Sequence, residues 1–173
     1  MDLPLVLRAL AFATEKHRGQ VRKDADSTPY IQHPIALASL LWEVGVHDAE
    51  VLAAAILHDT IEDTQTTHDE LEREFGRQVA HLVAEVTDDK RLPKAMRKEK
   101  QIEHAAHLPP GARLIKLADK ICNLRDVAHS PPADWSIERR REYFEWARAV
   151  VEKVPEKHPR LAALFDEAYA AKP

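Results

Sequence analysis

Four ionisable side chains follow directly on an apolar, alanine-rich stretch that ends at Leu57. These side chains are His58, Asp59, Glu62 and Asp63. If the helix continues, His58 lies beside Glu62 and Asp59 beside Asp63, because residues four apart are separated by about 40° around a helix axis. Imidazole and carboxylate groups side by side are ligands for first-row metals. A helix end whose polar residues meet water gives the same pattern, so the segment alone indicates either a metal centre or a solvated helix end.

A further acid lies inside an apolar segment. Asp119 is near the middle of residues 114–126, where apolar side chains cover most of the predicted helix circumference, and Asn123 follows one turn later on the same face. A helix this apolar is expected to be central to its domain. An exposed aspartate paired with a lysine of its own helix is a common alternative. Together with the preceding His-Asp pair, however, Asp119 is a plausible third ligand.

His33 stands immediately before Pro34. A residue before proline is biased away from the helical region, so His33 is expected at a helix entrance with a fixed direction. A histidine that only caps or packs locally would look the same. The remaining histidines are interpreted as surface or packing residues.

Basic residues form two clusters. Residues 90–100 contain six lysines and arginines and one acid, a local charge of +5 in a chain of net charge −4. Arg22 and Lys23 belong to the second cluster, with Arg18. Solvated helix faces often look like this, but a carboxylate-rich metal site that acts on a polyphosphate also needs nearby cations. The chain has no glycine-rich phosphate loop, so ATP-type phosphoryl transfer is not supported.

The elements that position these groups are predicted to be helices. Apolar residues recur at intervals of three and four, no segment alternates strictly, and only 4 of 173 residues are glycine, against 11 prolines. Breaks at proline and glycine give about nine helices, expected over residues 5–19, 34–45, 49–57 or beyond, 67–76, 79–86, 94–107, 113–127, 136–154 and 159 onward. The connections are too short for domain linkers. Residues 1–173 are therefore predicted to form a single all-α domain.

The composition limits the classes of partner that this protein is expected to bind. Lys and Arg total 25 against 29 Asp and Glu, whereas binders of nucleic-acid polymers usually carry a basic excess. The one cysteine provides no disulfide or thiolate cluster, and no stretch is long enough to cross a bilayer. We expect a soluble, cytoplasmic protein that binds neither nucleic acid nor membrane.

The order His33, His58-Asp59, Asp119 resembles the HD superfamily of metal-dependent phosphohydrolases. The finer pattern is similar to the hydrolase domain of the RelA/SpoT family and to its stand-alone small alarmone hydrolases. This resemblance covers residues 10–151 and rests on the segments His17-Arg18-Gly19-Gln20, Arg22-Lys23, Pro29 to Pro34, His58 to Thr64, Val86 to Lys90, Lys116 to Lys120 with Asn123 to Arg125, and Glu142 to Ala147.

The resemblance implies a hydrolase of the stringent-response alarmones. Members remove the 3′-diphosphate of guanosine tetra- and pentaphosphate, releasing pyrophosphate and GDP or GTP, usually with Mn²⁺. Sites of histidine and carboxylate also accept Fe²⁺, Co²⁺ or Zn²⁺. The chain is too short for the synthetase and regulatory domains of the long relatives, so a hydrolase without them is expected.

The same resemblance assigns roles to individual residues. The implied metal ligands are His33, His58, Asp59 and Asp119. Glu62 and Asp63 match the pair that positions and deprotonates the attacking water. The implied substrate contacts are Arg22 and Lys23 at the guanine base, Asn123 and Tyr143 in the nucleotide pocket, and Lys94, Arg97 and Arg139 at the phosphates.

Two alternatives stay open at this point. One is an HD-domain phosphatase that removes the 2′-phosphate of NADPH or acts on another nucleotide. The other is a non-catalytic module that binds alarmones, although such a module would be free to lose the ligands and the Glu-Asp pair, which are all present.

Overall fold

The computed structural model describes residues 2–173 and is built from helices. Ten helices follow one another in the order α1 (Leu3–Lys16), α2 (Gln32–Glu43), α3 (Ala49–Leu57), α4 (Thr60–Asp63), α5 (His68–Phe75), α6 (Arg77–Val86), α7 (Lys94–Ala105), α8 (Pro110–His129), α9 (Ile137–Lys153) and α10 (Pro159–Ala170). Within residues 2–173 the only β-type pairing is an isolated bridge between Val21 and Pro29. The all-α prediction is confirmed.

Each of the nine predicted helices is present, and the tenth is the single turn α4. The sequence pattern allowed the third helix to continue beyond Leu57 into these residues. In the structure α3 ends at Leu57, and Asp59 has φ −102° and ψ 2°, outside helical geometry. Thr60 favours this break because its hydroxyl donates to the Leu57 carbonyl oxygen at 2.7 Å, which gives the last turn of α3 a partner outside the helix.

Local chemistry explains other boundaries. Thr67 caps α5 by accepting the backbone N–H of Glu70 at 3.2 Å, as its spacing from that acid predicts. Gly76 separates α5 from α6 with φ +88°, a conformation that glycine adopts without a Cβ penalty. Asp48 caps α3 by accepting from the N–H groups of its first turn.

The core is organised around α3 and α8. Every residue from Val51 to Leu57 is buried, and α3 packs against α1, α2, α6 and α8. Ten side chains of α8 are buried, and this helix contacts α2, α3, α6, α9 and α10. The prediction that the apolar helix around Asp119 is central is confirmed. As a result, the start of α2, the end of α3 and the middle of α8 converge.

In the described part of the chain, no helix is both long enough and apolar enough to pass through a bilayer.

Phe144 anchors α9 to this core and offers a test of the packing. Its side chain is fully buried. Replacing Phe144 with alanine is expected to lower the free energy of unfolding by about 3–5 kcal/mol, because both the transfer free energy and the packing contacts are lost. Urea unfolding monitored by circular dichroism measures this change. Ile137→Ala on the same helix is the matched control and should change stability by less than about 0.5 kcal/mol, because Ile137 is half-exposed.

Candidate active site

Three of the predicted ligands form a compact cluster at this convergence. His33 lies in the first turn of α2, His58 directly after α3 and Asp119 in the middle of α8. One ligand atom from each lies within 4.8 Å of the others. Asp119 Oδ1 is 3.1 Å from His33 Nε2 and 3.7 Å from His58 Nε2. Both histidines are buried, so the cluster is suited to a divalent metal.

Asp59, the fourth predicted ligand, lies at the edge of this cluster. Its Oδ2 is 3.0 Å from His58 Nε2 and accepts a hydrogen bond from the Tyr30 hydroxyl. Ligation by Asp59 stays a prediction, and Tyr30 fixes the direction of the carboxylate that would provide it.

The protonation pattern of His58 fits a metal. Its Nδ1–H donates to the Ala55 carbonyl oxygen at 2.8 Å, so Nε2 is the nitrogen that offers a lone pair when the ring is neutral. That Nε2 atom is buried, and no described residue gives it a hydrogen bond of acceptable geometry. A buried nitrogen that faces two carboxylates at 3.0 Å and 3.7 Å is positioned to become a metal ligand once it loses its proton.

The surrounding charges control proton occupancy at the cluster. Burial lowers the pKa of His58, but the carboxylates of Asp59 and Asp119 outweigh burial and raise the pKa to about 9. Burial raises the pKa of Asp119, but Lys120 and His33 bring that pKa well below its ordinary value. Because a metal binds the neutral imidazole, loading the site must release the proton of His58.

Glu62 and Asp63 lie in α4 at the wall of the same cavity, which has a volume of about 170 Å³. Glu62 Oε2 accepts the backbone N–H of Asp88 at 3.1 Å. Burial, reinforced by the charge of Asp59, raises the pKa of Glu62 to about 7. Asp63 instead forms an ion pair with Lys90. The two carboxylates therefore occupy different environments, and Glu62 has the pKa suited to a general base near neutral pH.

Two larger cavities flank the metal cavity. The first, which we call the α2–α8 cavity, has a volume of about 520 Å³ and lies between the segment 21–36 and the second half of α8. The second, which we call the α7–α9 cavity, has a volume of about 630 Å³. All seven predicted substrate contacts line the metal cavity or one of these two, namely Arg22, Lys23, Asn123 and Tyr143 in the α2–α8 cavity and Lys94, Arg97 and Arg139 in the α7–α9 cavity.

Arg22 connects the nucleotide side to the metal cluster. Its guanidinium donates to Asp126 Oδ2 at 2.6 Å and to Asn123 Oδ1 at 3.3 Å. Asn123 in turn donates to Asp119 Oδ1 at 2.7 Å. Tyr143 is partly buried. Burial, together with the nearby Asp119, raises the pKa of its hydroxyl, so the group stays a hydrogen-bond donor.

Sequence reasoning missed several residues of the site. Gln20 donates to the carbonyl oxygen of Asp63 at 2.8 Å and is itself held by His17 Nδ1 at 2.7 Å. Both residues lie in the motif His17-Arg18-Gly19-Gln20, but the spacing of that motif assigned them no role. Lys116 and Lys120 also line the metal cavity. Their positions three residues before and one after Asp119 were the available signal.

Comparisons with known proteins agree with this geometry. A family model described as HD domain matches residues 9–144. A Mus musculus protein named guanosine-3′,5′-bis(diphosphate) 3′-pyrophosphohydrolase MESH1 is 57% identical over 165 residues, which are 95% of this chain and 92% of that protein. The Homo sapiens protein of the same name is 58% identical over 147 residues, 84% of this chain and 82% of that protein.

A solved structure is also similar along almost the whole chain. It belongs to a metazoan orthologue of SpoT that is described as hydrolysing ppGpp and as playing a role in starvation responses. The TM-score is 0.94 at 43% sequence identity, and the alignment covers 98% of this chain and 96% of that one.

Proposed function

Since this chain belongs to the HD-domain family, and within it to the group that includes the MESH1 proteins, we propose that it is a metal-dependent guanosine-3′,5′-bis(diphosphate) 3′-pyrophosphohydrolase. It converts ppGpp to GDP, and pppGpp to GTP, with release of pyrophosphate. The observation that carries this proposal is the buried His33–His58–Asp119 cluster with a carboxylate pair at its wall and a cavity on either side.

The two flanking cavities suit the two ends of such a nucleotide. The α2–α8 cavity offers Arg22 and Tyr143 to a purine base and ribose. The α7–α9 cavity offers Lys94, Arg97 and Arg139 to the 5′-phosphates, for which bidentate and charge-assisted hydrogen bonds are the strong contacts. In this proposal the 3′ substituent faces the metal cavity.

His33, His58, Asp59 and Asp119 would hold the divalent cation. When bound, the cation supplies Lewis acidity at the phosphorus–oxygen bond and a water of lowered pKa. Two imidazoles with two carboxylates fit Mn²⁺, which we propose as the working metal, and equally accept Fe²⁺, Co²⁺ or Zn²⁺. A nucleotide substrate also fits the cytoplasmic location expected from the sequence.

Glu62 performs the proton transfer in this scheme. Its carboxylate accepts a proton from the attacking water, whose oxygen forms a bond to the phosphorus attached to O3′. The phosphorus–O3′ bond breaks and O3′ takes up a proton, so ppGpp and water give GDP and pyrophosphate. Asp63, held by Lys90 and by Gln20, orients the water from the other side of α4.

A second substrate is supported by an aromatic cluster in the α7–α9 cavity. Tyr143 lies between Trp135 and Trp146, with ring centroids 5.5 Å and 5.3 Å apart. Aromatic rings stack on planar bases, so the cluster could hold the second base of a dinucleotide. Removal of the 2′-phosphate of NADPH is therefore a second candidate activity.

The test is an assay of the purified protein with Mn²⁺ and each substrate in parallel. We expect GDP and pyrophosphate in equal amounts from ppGpp, and loss of product when a chelator removes the metal. Orthophosphate from NADPH with no GDP from ppGpp would favour the second candidate. Tight binding of ppGpp without metal-dependent product would instead favour a non-catalytic binding module.

A further inference from the structure

One face of α8 lines the metal cavity with a regular set of polar side chains. Lys116, Asp119, Lys120 and Asn123 are spaced at i, i+3, i+4 and i+7, and all four line that cavity. Lys116 is 7% exposed and Lys120 3% exposed. Two ammonium groups one helical turn apart repel each other, and burying them is costly unless an anion compensates.

The two lysines differ in what compensates them. Lys120 Nζ is 3.4 Å from Asp119 Oδ2 and lies 4.2 Å from the centre of the Trp146 ring. Lys116 Nζ has only the Val86 carbonyl oxygen, at 3.4 Å. Across residues 2–173, no carboxylate oxygen lies within 4.0 Å of Lys116 Nζ, so this cation lacks a paired anion.

The acidic groups across the cavity are already engaged. Asp88 accepts a hydrogen bond from Gln101 at 2.5 Å, and Glu62 accepts the backbone N–H of Asp88. Within residues 2–173, neither carboxylate lies within 4.0 Å of Lys116 Nζ, whose recorded partner is the Val86 carbonyl oxygen. An incoming anion would therefore complete the environment of Lys116.

Lys116 also lies where the metal cavity adjoins a third one. This third cavity, which we call the α6–α7 cavity, has a volume of about 510 Å³ and is formed by the end of α6, the following loop and α7. Lys116 lines both cavities, together with Val86, Asp88 and Gln101. Of the residues proposed for the 5′-phosphates, Arg97 also lines the α6–α7 cavity, whereas Lys94 and Arg139 line only the α7–α9 cavity.

We propose that Lys116 binds the terminal phosphate of the 3′-diphosphate, an inference that rests on the proposed function. The phosphorus that is attacked must lie at the metal cluster, in a cavity of only about 170 Å³. The second phosphate must extend beyond it, and the nucleoside and 5′-phosphates already use the two flanking cavities. Lys116, at the opening toward the α6–α7 cavity, is the buried cation in that direction. It thereby distinguishes a 3′-diphosphate from a single phosphate.

The test compares two substrates that differ only in this phosphate. Lys116→Met keeps the aliphatic length of the side chain and removes its charge. Its kcat/KM for ppGpp is expected to fall about 10- to 100-fold, the range of one lost hydrogen bond to a charged group. Its kcat/KM for guanosine 5′-diphosphate 3′-monophosphate should change less than about threefold. Lys116→Arg should recover most of the activity toward ppGpp, and Lys153→Met, a charge change at the exposed end of α9, should leave both substrates unchanged.

Calorimetry gives a readout that does not depend on turnover. Pyrophosphate should bind Lys116→Met at least about tenfold more weakly than the unchanged protein, whereas orthophosphate should bind both alike. Equal losses on the two substrates, or unchanged pyrophosphate affinity, would overturn the assignment of Lys116. If the unchanged protein binds pyrophosphate through Lys116 but yields no GDP from ppGpp, the proposed reaction fails while the anion subsite stands.

Discussion

Replacing Asp59 with alanine is expected to abolish turnover of ppGpp, with a loss on the order of 10³-fold or more. The substitution removes the carboxylate 3.0 Å from His58 Nε2 and leaves the Tyr30 hydroxyl without its acceptor. The fold should survive, because Asp59 lies outside both α3 and α4 and contributes to neither core face. Initial rates of GDP release, measured beside far-ultraviolet circular dichroism, test both statements.

Asp69 provides the matched control for this prediction. It is fully exposed in the first turn of α5, so Asp69→Ala should retain activity within about twofold, as surface substitutions usually do. Full activity of Asp59→Ala would refute the assignment of the metal centre. Inactivity accompanied by loss of helical signal would point to a structural role for Asp59 instead.

Replacing Glu62 with glutamine is expected to separate proton transfer from metal binding. The amide keeps the size of the side chain and an oxygen for the Asp88 N–H, but it cannot accept a proton from water. We expect kcat to fall about 10²- to 10⁴-fold while the metal content per protein, measured by elemental analysis, stays close to that of the unchanged protein. Glu167→Gln, an exposed change on α10, is the control for the loss of one negative charge.

The pH dependence of the rate provides a second readout for Glu62. A general base works when deprotonated, so the rate rises as pH increases through its pKa. Burial raises that pKa to about 7, and a bound cation nearby lowers it, so the acidic limb of the profile is expected at or below pH 7. Glu62→Gln should lose this limb. A profile with the same limb in the variant, or equal losses of metal and rate, would assign the base role to another group.

The helices could be predicted from the sequence because their apolar residues recur with helical spacing and their ends carry strong local signals, as at Thr67 and Gly76. The break after Leu57 could not, because it depends on the Thr60 hydroxyl bonding to one carbonyl. The apolar run of α3 and the acids of α4 have the spacing of one continuous helix. A local side-chain hydrogen bond overrode that pattern.

The candidate site divides in the same way. His33, His58 and Asp119 were identified by residue type and order, and the fold brings them together. The burial of Lys116 and Lys120 could not be predicted from the sequence, because two lysines within one helical turn usually belong to a solvated face. They are buried here because α6, which is distant in sequence, and α9, the next helix along the chain, pack against α8. The contacts of Gln20 and Tyr30 likewise depend on a loop that returns to α4 and Asp59.

The separation of α3 from α4 has a consequence for how this site can be altered. The imidazole of His58 is hydrogen-bonded to the Ala55 carbonyl oxygen in the buried helix α3. Glu62 and Asp63 instead lie on a single helical turn, which is held by hydrogen bonds from Gln20 and from the N–H of Asp88, both in loops. Changes in those loops can alter the position and the pKa of the acid pair while His58 keeps its place. Substitutions in those loops are therefore expected to change the rate of hydrolysis more than the affinity for the cation.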